Sequence, residues 1–226
     1  MASAERVREL RERMVSAGNV VARTTARSHD LFPTAIGRQE GLALRDWVRR
    51  EHAERTLEVG LAYGIASLCI CEGLLDHASQ PGHVAIDPFQ TAALPEHRIR
   101  YEGVGLQVLA DAGIRDLVEF YEEASQIVLP RLLAEGRRFD LAFIDGDHHF
   151  DAVFLDLIYA GRLVKARGIV FVDDAQLKTV GKAIEFCVAN LGWVVEDEGS
   201  EGDSHSWRVL RTDGAPRRPY TAFVDF

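Results

Sequence analysis

Lysine is almost absent from this chain: three of its 26 basic residues are lysine and the rest are arginine. That bias points to a GC-rich genome and excludes no function. Cysteine is scarce and odd in number, with Cys69, Cys71 and Cys187, so no disulfide framework is expected. Cys69 and Cys71 fall in an apolar run that reads as helix and point in different directions, so buried thiols in a reducing compartment are expected. No apolar run reaches the roughly 18 residues of a membrane-spanning helix. The opening stretch, MASAERVRELRERMV, is charged throughout and lacks a secretory core, which places the protein in the cytoplasm. Excess positive charge is also missing: 26 basic against 35 acidic residues give a net charge of −9 and a pI near 5.4. That excludes the basic stripe of a nucleic-acid binder and leaves room for a cation site. No internal repeat and no Pro/Gly/Ser linker divides the chain, so residues 1–226 read as one domain, with 1–35 as an N-terminal helical extension.

What is present is an ordinary globular composition, 47% apolar and 27% charged over 226 residues. Val7, Leu10 and Met14 recur at helical spacing among charges, predicting an amphipathic helix that lies on the body or on a second subunit of a homodimer. A loop is expected over 28–36, then a helix with Leu44, Trp47 and Val48 on one face. From there strand and helix alternate. Strands are predicted at 55–59, 83–86, 117–121, 139–144 and 168–172, with helices at 65–78, 96–112 and 125–135. Two further helical stripes are Phe150, Val153, Phe154, Leu157, Ile158 and Val180, Ala183, Ile184, Cys187, Leu191. Final strands at 193–196 and 206–211 flank a polar turn at 199–204. The pattern predicts an α/β fold: a doubly wound, mostly parallel seven-stranded sheet, helices on both faces and a C-terminal antiparallel hairpin.

In such sheets ligands bind beyond the carboxyl ends of the strands. The first of these strands leads into a glycine-containing turn, Leu57-Glu58-Val59-Gly60-Leu61-Ala62-Tyr63-Gly64. A dinucleotide fingerprint counted from Gly60 would put Ile65 at its third small position, where its bulk blocks close helix–strand contact. The observed spacing is E-x-G-x-A-x-G instead, with Gly64 as the last small residue. The second strand ends at Asp87, 27 residues after Gly60, where a carboxylate can accept both hydroxyls of a ribose. A structural turn and a helix cap are the bland readings of the two features taken singly.

Together these residues resemble the class I S-adenosylmethionine-dependent methyltransferases, a Rossmann-like family, over most of the chain from Ile36 to Gly192. Ala62 stands where that family usually has glycine. The segment Glu123-Ala124-Ser125-Gln126-Ile127-Val128-Leu129-Pro130-Arg131-Leu132 is similar to the part of catechol and caffeoyl-CoA O-methyltransferases that closes over the adenine. The resemblance implies cofactor contacts at Glu58, Gly60, Ala62, Gly64, Asp87, Ala124, Ser125, Gln126 and Asp145. Ser125 also suits the start of the following helix.

The fourth strand ends in Phe143-Ile144-Asp145-Gly146-Asp147-His148-His149 and the fifth in Val172-Asp173-Asp174. Neighbouring parallel strands would bring Asp145, Asp173 and Asp174 to one sheet edge, where like charges need protons, basic partners or a cation. Oxygen ligands suit Mg²⁺, Mn²⁺ or Ca²⁺; helix capping is the bland alternative. The metal-dependent O-methyltransferases carry an Asp there and an Asp-Asn pair where this chain has Asp-Asp. They place a lysine implicated in deprotonating the acceptor where His148 stands. A histidine can take a proton at neutral pH; it can also be a ligand or a plain loop residue. The resemblance thus implies metal-dependent O-methylation of a small molecule of catechol or vicinal-diol type. The competing readings are a catalytically silent S-adenosylmethionine- or nucleoside-binding module and an NAD(P)-dependent oxidoreductase, the latter weakened by Ile65.

Overall fold

The computed structural model describes residues 3–91, 101–202, 205–213 and 221–226. Helix α1 (Ala4–Ala17) leads into strands β1 (Asn19–Val21) and β2 (Ser28–Asp30), helix α2 (Arg38–Arg50) and strand β3 (Arg55–Val59). Then come α3 (Ile65–His77), β4 (Gly82–Ile86), α4 (Val104–Ala112), β5 (Val118–Tyr121), α5 (Ser125–Ala134) and β6 (Phe139–Ile144). The chain closes with α6 (Phe150–Leu163), β7 (Val164–Val172), α7 (Lys178–Leu191), β8 (Val194–Glu201) and β9 (His205–Arg211). The seven-stranded sheet has the order β5-β4-β3-β6-β7-β9-β8, mostly parallel with an antiparallel hairpin at its end, as the alternation predicts. No helix of the described residues is long and apolar enough to cross a membrane. Internal contacts divide the chain into two compact units: Met1–Glu54 with Gly60–Ala124, and Arg55–Val59 with Ser125–Phe226.

In the first unit, α1 starts at Ser3, whose hydroxyl accepts the Arg6 N–H at 3.3 Å, and stops at Gly18 with φ 71°. Its apolar face, Val7, Leu10 and Met14, is buried against α3 of the same chain. The loop expected over 28–36 gives way at its start to an antiparallel ribbon, Asn19–Val21 on Ser28–Asp30. α2 buries Leu44, Trp47 and Val48 and also packs on α3. α3 is buried on every side from Ile65 to Leu74, so Cys69 and Cys71 are both covered although they point apart. β4 and β5 pair in parallel. The predicted helix over 96–112 is seen as α4 from Val104; residues 96–100 lie outside the described residues.

In the second unit, β3, β6 and β7 run parallel, with Val59 opposite Ile144 and Ile144 opposite Val172. All three strands therefore end at one edge. β6 is a near-continuous apolar run because both its faces are covered; Phe143 and Phe171 meet in the core with ring centroids 5.7 Å apart. β9 pairs antiparallel with β7, and β8 with β9. The polar turn predicted at 199–204 ends in residues 203–204, which lie outside the described residues. Two stripes depart from expectation. Phe150 opens α6 at 40% exposure, while Asp156 sits in the buried face at 1%. On α7 the buried position is Asn190 rather than Leu191, and its amide exchanges two 2.8 Å hydrogen bonds with the Val224 backbone.

Candidate active site

The glycine turn belongs to the first unit. Gly60 (φ 99°) donates its N–H to the Ile86 carbonyl at 2.9 Å, and Gly64 (φ 83°) opens α3. Both φ values are ones that glycine adopts without strain. Ala62, between them, also takes a left-handed conformation, φ 44°. Asp87 follows β4 and is 2% exposed. Its Oδ2 accepts the Ala62 N–H at 2.7 Å and its Oδ1 the Phe89 N–H at 2.7 Å. The structure thus brings Gly60, Ala62, Gly64 and Asp87 together, with Asp87 bracing the turn. A ribose would meet that carboxylate alongside or in place of these donors.

Gln90 is a residue that sequence reasoning missed. Its Nε2 donates to the Ala62 carbonyl at 2.8 Å and to Asp87 Oδ2 at 3.2 Å, and its Oε1 accepts the Gly105 N–H at 3.1 Å. A Cβ at residue 105 would lie 2.6 Å from the Ala62 carbonyl oxygen, so glycine is required there. No spacing rule in the sequence announces this clamp. Tyr63 is buried in the turn between His29 of the ribbon and Tyr101, at centroid distances of 5.7 and 5.1 Å. Burial, then the charges of Asp30 and Glu102, raise its phenol pKa above the ordinary value. Ala124 is half-buried near the end of this unit.

The second unit holds the remaining candidates. Glu58 is wholly buried on β3, opposite Phe143. Ser125, half-buried, begins α5, and Gln126 beside it is exposed. Beyond the strand ends, Asp145 donates its N–H to the Val59 carbonyl at 2.9 Å, and Asp173 its N–H to the Ile144 carbonyl at 3.1 Å. Parallel pairing thus runs one residue past each strand and fixes where the acids stand. His148 Nε2 lies 3.4 Å from Asp145 Oδ1 and 3.2 Å from Asp174 Oδ2. One ligand atom from each of Asp145, His148 and Asp174 falls within 4.8 Å of the others. Sequence reasoning grouped Asp145, Asp173 and Asp174; in the structure His148 joins the group, and Asp173 Oδ1 accepts the Asp174 N–H at 2.5 Å. His205, which sequence reasoning did not select, brings Nδ1 to 4.0 Å from Asp174 Oδ1. His149 is turned away, exposed and paired with Asp147.

Burial pushes the Asp145 carboxyl well above the usual carboxylate range; Asp173 and Asp174 push the same way, against the pull of His148. The hydrogen bond from His148 to Asp145, helped by the charges of Asp174 and Asp173, raises the imidazole above its ordinary value despite burial. Two carboxylates and an imidazole within this span fit a divalent cation, whose charge would relieve the carboxylate repulsion.

A mostly parallel sheet of this order, closed by an antiparallel hairpin, makes the protein Rossmann-like α/β. More narrowly, the chain belongs to the methyltransferase domain family, whose model matches residues 57–175. It is similar to caffeoyl-CoA O-methyltransferase of Populus kitakamiensis, 27% identical over 176 residues that make up 75% of this chain and 63% of that protein. It is also similar to tricin synthase 2 of Oryza sativa subsp. japonica, 31% identical over 140 residues, 60% of this chain and 43% of that protein. The chain spans less than two thirds of the length of these relatives. Its fold is shared with the O-methyltransferase from Bacillus cereus in complex with SAH, at a TM-score of 0.68 and 14% identity over 92% of this chain and 90% of that one. It is shared too with the O-methyltransferase TomG from Streptomyces achromogenes in complex with SAM, at 0.69 and 18% over 93% and 90%. The resemblance to caffeoyl-CoA O-methyltransferases read from the sequence is borne out, and the oxidoreductase reading is set aside.

Proposed function

We propose that the protein methylates a hydroxyl oxygen of a small molecule, with S-adenosylmethionine as donor and a divalent cation held by Asp145, Asp174 and Asp173. The observation that carries the proposal is the meeting of Asp145, Asp174 and His148 at one strand edge in a chain of the methyltransferase domain family. Relatives named caffeoyl-CoA O-methyltransferase, and neighbours in complex with SAH or SAM, support the choice of donor and acceptor atom.

S-adenosylmethionine supplies an electrophilic methyl on a sulfonium, so no covalent enzyme intermediate is needed. Magnesium, or manganese or calcium in its place, would lower the acceptor hydroxyl's pKa and fix its orientation. Asp87 and the turn from Gly60 to Gly64 bind the nucleoside and methionine parts, and Ala124, Ser125 and Gln126 the adenine. Asp145, Asp174 and Asp173 would hold the cation, which would acidify a hydroxyl of a catechol or vicinal diol. With a cation meeting the charge of Asp145 and Asp174, His148 Nε2 would no longer need to donate to Asp145 and would take the acceptor hydroxyl proton; the methyl group would come from the sulfonium, which leaves as a neutral thioether. The net charge of −9 suits a small-molecule acceptor better than a nucleic acid.

One observation favours a second role for His148: its Nε2 faces both Asp145 and Asp174, as a further metal ligand would. The two roles separate on one variant. As base, His148→Gln slows single-turnover methyl transfer by about 10²–10⁴-fold with metal affinity intact; as ligand, it weakens metal affinity as well. The whole proposal is tested with a catechol panel in excess chelator. Turnover should vanish while calorimetry still registers S-adenosylhomocysteine. Full turnover with no residual metal by elemental analysis removes the cation, and an absence of S-adenosylhomocysteine binding removes the methyltransferase.

A further inference from the structure

Asp156 is a buried carboxylate that the proposed chemistry does not use. It lies on α6 among Val153, Leu157 and Ala160, on the face turned to the core. It is 1% exposed, and its Oδ1 has no hydrogen-bond partner among the described residues. The Ser125 hydroxyl at the start of α5 donates to it. It also lies directly under the turn that carries Asp145 and His148: a Cβ on Gly146 would stand 3.4 Å from Asp156 Oδ2 and 2.9 Å from Val59 Cγ1. A carboxylate at an apolar position, half satisfied and with no cationic partner among the described residues, is not explained by stability. Any of several aliphatic residues would serve the fold better there.

We infer that Asp156 is a positioning residue that fixes the hydrogen-bonding polarity of Ser125 and thereby selects a 6-amino purine over a 6-oxo purine in the cofactor. The inference rests on the reading of Ser125 as an adenine contact. A serine hydroxyl has one proton to donate and two lone pairs. With its proton committed to Asp156, the Ser125 oxygen presents only lone pairs to a ligand. The exocyclic amine of adenine donates to such an oxygen. The 6-oxo group of hypoxanthine meets it lone pair against lone pair. Without Asp156 the hydroxyl turns freely and serves either base. Burial pushes the Asp156 carboxyl up to about 6, helped by the Asp147 charge and opposed by the Ser125 hydrogen bond. Ionised or neutral, it keeps an oxygen that accepts the Ser125 proton.

The test compares calorimetric affinities for S-adenosylhomocysteine and its deaminated analogue, S-inosylhomocysteine, in wild type, Asp156→Ala, Ser125→Ala and the double variant. The wild type should prefer the adenosyl compound by about 10- to 100-fold, the scale of one mismatched polar contact. Either single variant should bring that ratio to within about threefold of unity, on the same reasoning, and the double variant should add nothing further. A merely structural Asp156 would change melting temperature and leave the ratio alone. A wild type that binds both compounds equally overturns the inference while leaving the proposed cofactor in place. So does an unchanged ratio in Ser125→Ala, a surface-side change that keeps Asp156 and does not depend on how Asp156→Ala folds. A wild type that binds neither compound overturns the cofactor reading itself and this inference with it.

Discussion

Glu72 of the first unit and Asp145 of the second are both carboxylates sunk in protein, and their neighbours differ in kind. Glu72 is 1% exposed and faces guanidinium groups on two other helices: Arg11 of α1 at 3.0 Å and Arg45 of α2 at 3.2 Å, with Arg49 at 3.7 Å. Asp145 faces Asp174 and Asp173, with a single imidazole between. The first cluster is closed, because every charge on it is met by the chain itself. The second bunches carboxylates, with His148 between Asp145 and Asp174. A buried pair with well-placed partners ties helices together, whereas bunched carboxylates hold stability in reserve for a cation.

Breaking the first cluster should have the larger effect. Glu72→Ala leaves Arg11, itself 3% exposed, without its buried carboxylate, and should cost about 3–5 kcal/mol in denaturant unfolding. Asp145→Asn should act in the opposite direction on the metal-free protein, raising its melting temperature by removing one of several like charges. It should also abolish any stabilisation by added Mg²⁺ or Mn²⁺. If Asp145→Asn lowers the melting temperature and the cation still stabilises, the second cluster is as structural as the first.

Asp156 sharpens the contrast by its pH dependence. Its carboxyl is pushed up to about 6 in the folded protein, against about 3.9 in an unfolded chain. The folded state therefore favours the protonated acid, and stability is lost as pH rises from about 4 through about 6. Asp156→Asn lacks that loss. It should match wild type near pH 4 and exceed it by up to about 2–3 kcal/mol above pH 6.5. Chemical denaturation at the two pH values measures the difference; a constant offset would mean that the carboxyl does not titrate on unfolding.

The two clusters were not equally legible in the sequence. The strand-end acids could be read because topology dictates them: once 139–144 and 168–172 are parallel neighbours, Asp145 and Asp173 must share an edge. The Arg11–Glu72 pair is 61 residues apart in sequence, and Arg11 looks like one more charge on an amphipathic helix. The β1–β2 ribbon escaped because its strands have three residues each, mostly exposed, with no alternation to see. Asp156 left a trace that went unused, a carboxylate at the spacing of Val153, Leu157 and Ala160. The bracing of the glycine turn by Asp87 and Gln90 left none, since backbone hydrogen bonds to a side chain have no sequence period.

The smallest expected effect takes charge out of the comparison and tests the turn alone. Ala62 sits at φ 44°, a left-handed conformation that costs a residue with a Cβ about 1–2 kcal/mol. It is held there by its backbone: the N–H on Asp87 Oδ2 at 2.7 Å and the carbonyl on Gln90 Nε2 at 2.8 Å. Ala62→Gly keeps both bonds and removes the Cβ. The added freedom of the unfolded chain takes back about 0.4–1 kcal/mol, so the net gain should be about 0.5–1 kcal/mol. It should appear as a higher denaturant midpoint with an unchanged slope. Gly64→Ala should move the other way, because φ is 83° and the new methyl would stand 3.4 Å from both the Gly105 carbonyl oxygen and Val108 Cγ1. If Ala62→Gly is the less stable protein, the Ala62 methyl packs more favourably than its backbone is strained. The turn would then owe its shape to that contact rather than to Asp87 and Gln90.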